Sequence, residues 1–194
     1  MYINTERSYP NWFNISALSF FKRNLVEYAG VPNLNFLQIG AYTGDASVWL
    51  MNEILTDPTS YLHDVDTWEG SEEAVHKAWD WNDVESVYDK KIQRYKNIVK
   101  HKSYSSDFLK NDNGRYDFIY IDGDHTASGV YDDAVGAWPL LKSGGIMAFD
   151  DYHWHHESGL DNLRPAPGID RFISENREDI HIIEIGYQYW IGKK

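Results

Sequence analysis

Cysteine is absent from the 194-residue chain. That excludes a disulfide framework, a thiolate zinc site and a cysteine nucleophile, and leaves carboxylates and histidines as the available metal ligands. Positive charge is scarce: 18 Lys and Arg stand against 30 Asp and Glu, a formal net charge of −12. Such a field repels a phosphate backbone and an anionic membrane surface, so neither nucleic acid nor membrane is an expected partner. No apolar run reaches membrane-spanning length, and residues 1–10 lack a basic segment followed by an apolar one, so a cytoplasmic location is expected. Proline (6) and glycine (14) are scattered rather than gathered into a linker, and there is no repeat or low-complexity stretch. A single domain, 1–194, with an N-terminal helical segment, 1–30, is therefore expected.

Aromatic residues are plentiful, at 15% with 8 Trp and 14 Tyr. They suit flat-sided pockets or an interface, with which a homo-oligomer is compatible. Apolar positions at helical spacing (Leu18, Phe21, Leu25, Tyr28) predict a helix over Ile15–Tyr28, stopped by Gly30 and Pro32. Asn35–Ile39 reads as a first strand, followed by a glycine turn and a helix over Gly44–Leu55. Tyr61–Val65 is the second strand. Residues 72–96 read as one or two helices broken near Trp81-Asn82-Asp83, and Ile98-Val99 as a short third strand. Tyr116–Ile121 is apolar enough for a central strand buried on both faces. A helix over Ser128–Leu141, a turn at Ser143-Gly144-Gly145 and a fifth strand at Ile146–Phe149 follow. Pro167 and Gly168 open a last helix to about Asn176, and Ile180–Ile185 and Tyr187–Ile191 form an antiparallel pair. Strands alternating with helices before a closing hairpin give an α/β, Rossmann-like doubly wound sheet, mostly parallel with an antiparallel C-terminal edge.

Four segments at strand ends carry chemistry. In Gln38-Ile-Gly40-Ala41-Tyr42-Thr-Gly44-Asp45 a strand breaks at glycine and a helix starts within a few residues, the place where doubly wound sheets bind ligands. Gly40 would let backbone approach a ligand and Gly44 would ease the turn; the Gly-x-x-x-Gly spacing lacks the full dinucleotide fingerprint, and a plain tight turn would use the same residues. In Asp64-Val-Asp66-Thr67-Trp68, Asp66 stands at the strand exit, where an acid can accept both ribose hydroxyls, with Trp68 available to stack on an adenine. Capping of a turn by Asp66 and core packing of Trp68 is the alternative. Asp122-Gly-Asp-His125 and Asp150-Asp151 follow adjacent central strands about 5 Å apart, so the three carboxylates can converge on a hard cation such as Mg²⁺, with His125 in reach. Helix and turn capping would use the same acids. His153, His155 and His156 read as a surface loop rather than a metal site.

These segments resemble the class I S-adenosylmethionine-dependent methyltransferases, and within them the group of macrocin-type sugar O-methyltransferases and cephalosporin-hydroxylase-like proteins. Phe36–Leu50 is similar to the family's first motif, Val65–Glu73 to its second and Tyr116–Tyr152 to its metal-binding half; Pro167–Phe172 and Gly186–Trp190 add to the match. The resemblance implies seven strands with the last inserted antiparallel. It places the cofactor against Gln38, Gly40, Ala41, Tyr42, Gly44, Asp66, Thr67, Trp68, Ser106 and Asp122, and a divalent metal, Mg²⁺ by preference, on Asp122, Asp150 and Asp151. Gln38 departs from the acid usual there, for which Asp45 could compensate.

The implied reaction is O-methylation of a small-molecule or saccharide hydroxyl, with Asp122 and His125 catalytic and His125 taking the hydroxyl proton. Trp79, Trp81 and Trp154 are candidate stacking faces for the acceptor, and a catechol-like phenol would use the same chemistry. A metal-dependent hydroxylase-like enzyme and a non-catalytic cofactor-binding module of the same fold are the alternatives.

Overall fold

The computed structural model describes residues 9–71, 74–156 and 158–194, with the side chains of residues 74 and 75 left aside. Seven strands form one sheet: β1 (Asn35–Ile39), β2 (Tyr61–Asp66), β3 (Ile98–Lys102), β4 (Tyr116–Ile121), β5 (Leu141–Phe149), β6 (Ile180–Ile185) and β7 (Tyr189–Lys193). Their order is β3-β2-β1-β4-β5-β7-β6. All neighbours are parallel except β7, which runs antiparallel to both β5 and β6. The chain builds outward from β1 to β3 and then returns to place β4 on the other side of β1. The order therefore reverses between β1 and β4, the point where such sheets open a crevice at their C-terminal edge.

Side chains alternate between the two faces of the sheet, and both faces of the central strands are covered, so β1 and β4 are mostly apolar. Leu37, Ile39, Val65, Ile119, Ile121, Met147, Phe149 and Ile191 face one side. There they meet residues of α5 (Ser105–Asn111), α6 (Ala127–Ala137) and α7 (Ala166–Glu175). Phe36, Leu62, Phe118, Tyr120, Ala148 and Trp190 face the other, against α1 (Leu18–Asn24) and α2 (Asp45–Glu53). Phe21 of α1 is fully buried and meets the rings of Phe118, Tyr120 and Trp190 edge-on at 4.9–5.7 Å.

Several boundaries differ from the sequence expectation, each for a local reason. The N-terminal helix is divided into a π-helical turn at Phe13–Ala17, α1, and a 3₁₀ turn at Val26–Tyr28; residues 1–8 of the expected segment lie outside the described residues. The helical stretch expected over 72–96 divides into α3 (Ala74–Lys77) and α4 (Trp81–Ile92), and its residues 72 and 73 are likewise outside. The break falls before Trp81, because Asp80 caps α4 by accepting a hydrogen bond from the Asn82 amide at 3.1 Å. β5 starts at Leu141, so Ser143-Gly144-Gly145 is an irregular part of the strand rather than a turn ahead of it. Helix α5, which opens with Ser105 and Ser106, has no counterpart among the expected elements; seven residues offer too few turns for a visible apolar period.

Candidate active site

Gly40 ends β1 with φ +88°, and a Cβ there would lie 1.8 Å from the Asp122 carbonyl oxygen. The exit of β4 therefore requires a glycine at this position, a constraint not visible in the sequence. The contact has a functional consequence: the glycine turn and the acidic segment share a wall. Gly44, at φ +78°, caps α2, and its Cα faces the Tyr88 ring.

Asp66 holds this turn together. Its Oδ2 accepts from the amides of Ala41 and Tyr42 and its Oδ1 from that of Trp68, all at 2.8 Å, and the Thr67 amide also lies against it. Burial raises its pKa while these amide bonds pull it down. A carboxylate offers about four acceptor sites, so accepting both ribose hydroxyls, as expected from the sequence, requires amides to be released. Trp68 is also placed differently: it is 3% exposed, donates from Nε1 to the Tyr42 carbonyl at 2.9 Å and packs on Tyr88 at 4.8 Å. It belongs to the core and has no free face for an adenine.

Gln38 is buried and donates from Nε2 to the Gly40 carbonyl at 3.0 Å, while its Oε1 has no partner among the described residues. A buried acceptor left open beside the glycine turn suits an incoming N–H donor, such as the ammonium of a methionine moiety. Asp45, the acid expected to compensate for the missing charge, is paired with Lys91 at 2.7 Å and accepts from the Thr43 hydroxyl at 2.8 Å. Thr67 follows β2 and Ser106 lies exposed in the first turn of α5, both at the same sheet edge. Tyr42, at φ +49°, stacks between Trp12 (5.2 Å) and Trp79 (5.6 Å).

Behind Asp66, the fully buried Asp64 accepts from the Tyr88 hydroxyl at 2.8 Å. Burial pushes its pKa up to about 7, although that hydrogen bond opposes the shift. A raised folded-state value means that the stability this acid contributes is present below its unfolded value and is lost as pH rises through about 7. Asp64→Asn mimics the neutral form and keeps an acceptor for Tyr88. Its Tm relative to wild type is expected to increase from pH 5 to pH 8; a constant difference across that range would refute the assignment.

The acids expected to converge do so only in part. Oxygens of Asp122 and Asp151 and a ring nitrogen of His125 lie within 4.8 Å of one another. His125 Nε2 is 3.3 Å from Asp151 and 3.6 Å from Asp122. Asp150 is turned away: its Oδ2 accepts from the Tyr120 hydroxyl at 2.7 Å and its Oδ1 from Gln188 Nε2 at 2.9 Å. The reason is backbone conformation. Asp151 sits at φ +57°, so Asp150 points to the core side while Asp151 swings toward Asp122 and His125. Of the expected set Asp122, Asp150 and Asp151, the structure brings Asp122 and Asp151 together, adds His125 to them, and holds Asp150 on Tyr120 and Gln188.

Burial raises Asp122 above the ordinary carboxyl range, with hydrogen bonding to His125 opposing and the Asp151 charge adding. Two oxygens and one imidazole nitrogen, half-buried and concentrated, suit a divalent cation such as Mg²⁺ or Mn²⁺. Tyr187, between β6 and β7, also reaches Asp151, and burial followed by that acid's charge keeps its phenol protonated. Sequence reasoning did not single out Tyr187 or Gln188; the β6–β7 hairpin brings them to the site. His153, His155 and His156 take no part in the Asp122–His125–Asp151 cluster.

A seven-stranded sheet of this order, opening its glycine turn and its acids onto one edge, has the fold of the Rossmann-like, S-adenosylmethionine-dependent methyltransferases. The chain belongs to the methyltransferase-domain family, whose model matches residues 37–152, more than half of its length. Among solved structures it is similar to the O-methyltransferase NovP (18% identity, TM-score 0.66, covering 89% of this chain and 77% of that one). It is also similar to the O-methyltransferase TomG of Streptomyces achromogenes in complex with SAM (14%, 0.59, 82% and 73%). A third is the MycE methyltransferase of the mycinamycin biosynthetic pathway with Mg and SAH (14%, 0.62, 96% of this chain). The chain spans half of MycE's length. No curated protein sequence matches the chain. No helix among the described residues is long and apolar enough to cross a membrane.

Proposed function

We propose that the protein is a divalent-metal-assisted O-methyltransferase acting on a hydroxyl of a small molecule or sugar. The observation that carries this reading is the meeting of Asp122, His125 and Asp151 at the edge where Gly40 abuts Asp122. S-adenosylmethionine supplies an electrophilic methyl group when bound. The chain would hold it with Gln38 Oε1, the amides and carbonyls of Gly40 to Gly44, Asp66, Thr67, Ser106 and Asp122. A cation on Asp122, His125 and Asp151 would lower the pKa of a hydroxyl beside it, and the proton would leave to solvent because His125 Nε2 is engaged in that arrangement. The residues themselves orient the acceptor: the two carboxylates draw its hydroxyl, and Asp151 is steadied by Tyr187. The net charge of −12 supports a neutral or cationic acceptor over a nucleic acid.

A second reading is favoured by the 3.3 Å separation of His125 Nε2 and Asp151. At that distance the carboxylates can stabilise an imidazolium, so that His125 takes the hydroxyl proton at Nε2 without a metal. The same nitrogen cannot do both at once, and chelation decides between them: loss of turnover in EDTA, restored by Mg²⁺, supports the first reading, and indifference to EDTA the second.

The test of the cofactor half is calorimetric titration with S-adenosylhomocysteine. One-to-one binding is expected, and Asp66→Ala is expected to weaken it by roughly 10-fold or more, because the amides of Ala41 and Tyr42 lose their common acceptor (about 1.4 kcal/mol per tenfold). Absence of binding by wild-type protein would discard the reading.

A further inference from the structure

We propose that Trp154 is the docking face for the methyl acceptor, and that the acceptor is a neutral or cationic ring carrying a hydroxyl at its edge. This rests on the O-methyl transfer reading given above. Three tryptophans were candidate stacking faces, and the structure separates them. Trp79 packs into a ring cluster with Tyr9, Trp12 and Tyr42, at 5.4 to 5.6 Å. The Trp81 indole covers the Gly70 backbone and donates from Nε1 to the His76 carbonyl at 3.0 Å. Trp154 instead stands on the acid–histidine cluster, with its ring centroid 5.5 Å from that of His125.

The other tryptophans are also accounted for. Trp68 and Trp190 are buried, Trp12 stacks on Tyr42, Trp49 packs on Phe13 and Phe21, and Trp138 packs on Phe172 beneath Lys193. Of the eight, Trp154 alone combines partial exposure with contact to a residue of the acid–histidine cluster. Its position is fixed by the chain that positions the acid: the Trp154 amide donates to the Asp151 carbonyl at 2.9 Å, closing a four-residue turn that begins at φ +57°. The indole and the Asp151 carboxylate are thus carried by one turn.

Chemistry follows from this placement. A ring stacked on an indole has its centroid roughly 4.5–7 Å away, comparable to the 5.5 Å between Trp154 and His125. An acceptor ring laid against the open part of the indole would be a neighbour of His125, whose ring also lies beside that indole, and a hydroxyl on its edge would have His125 and the two carboxylates as its nearest polar groups. An acyclic alcohol has no face to offer the indole, and an anionic ring meets the charges of Asp122 and Asp151. Pyranosides, through their C–H faces, and dihydroxybenzenes, through their π faces, share the required shape.

Protein labelled with ¹⁵N at the tryptophan indoles, saturated with S-adenosylhomocysteine and Mg²⁺, tests the proposal by titration with catechol, methyl α-D-glucopyranoside and glycerol. The Trp154 Nε1–H resonance, assigned from Trp154→Phe, is expected to move saturably with at least one ring probe and not with glycerol. Turnover of that probe with S-adenosylmethionine is expected to show KM raised roughly tenfold in Trp154→Ala, with kcat and S-adenosylhomocysteine affinity little changed, and substantial rescue in Trp154→Phe. Movement without turnover of any probe keeps the docking face and overturns the O-methyl transfer reading. Turnover with an unchanged KM in Trp154→Ala, or no movement of the resonance with either ring, overturns the docking face.

Discussion

Asp151→Asn is expected to lower kcat/KM by roughly 10²–10⁴, because it weakens either the cation or the imidazolium on which deprotonation of the acceptor depends, while leaving S-adenosylhomocysteine affinity unchanged. The substitution isolates charge from backbone. Asp151 occupies the left-handed region at φ +57°, where asparagine is nearly as well accommodated as aspartate and alanine is strained. The asparagine variant should therefore keep the turn to Trp154 and lose only the negative oxygen that faces His125 at 3.3 Å. Replacing one carboxylate by a neutral amide also weakens one of the three close donor groups, so any Mg²⁺ requirement should move to higher concentration. Turnover within about threefold of wild type, with the same metal response, would remove Asp151 from the chemistry.

Gly40→Ala is expected to be the most disruptive single methyl group in the cleft. The added Cβ would sit 1.8 Å from a backbone oxygen of the central β4 exit and would also carry φ +88°. Neither strand can move without breaking the Asp122 amide bond to the Ile39 carbonyl, which is 2.9 Å long. A loss of about 2–4 kcal/mol is expected, a Tm decrease of roughly 5–15 °C for a chain of this size. Gly144→Ala is the matched control. That glycine has a similar φ of +79° with no atom within 4 Å of the added carbon, so it should show only the conformational cost, about 1–2 kcal/mol. Equal Tm losses in the two variants, followed by circular dichroism, would show that strain in φ rather than contact with Asp122 makes Gly40 necessary.

The parallel core was legible in the sequence because its strands are buried on both faces. Asn35–Ile39 and Tyr116–Ile121 have the expected bounds, and the apolar residues of each are shared between two helical layers. The closing strands were also legible, since the few residues between them admit little besides an antiparallel turn. Elements held by a cap or an irregular strand were less so. Asp80 fixes the start of α4 and an irregular pairing extends β5, and neither follows from apolar spacing.

At the site, residue types and strand ends were enough to assemble the candidates, because parallel α/β strands present their C-terminal ends on one edge whatever the loops do. The sequence alone thus determined a doubly wound fold and a cleft rich in carboxylates without cysteine chemistry. Orientation was decided by the tertiary structure. The positive φ of Asp151 sends Asp150 to Tyr120 and Gln188 and brings Asp151 to His125; the amides around Asp66 occupy a carboxylate that looked free; and Tyr88 and Tyr42 absorb Trp68 into the core. Each of these depends on where a neighbour distant in sequence places its hydrogen-bonding groups, and local spacing carries no information about that.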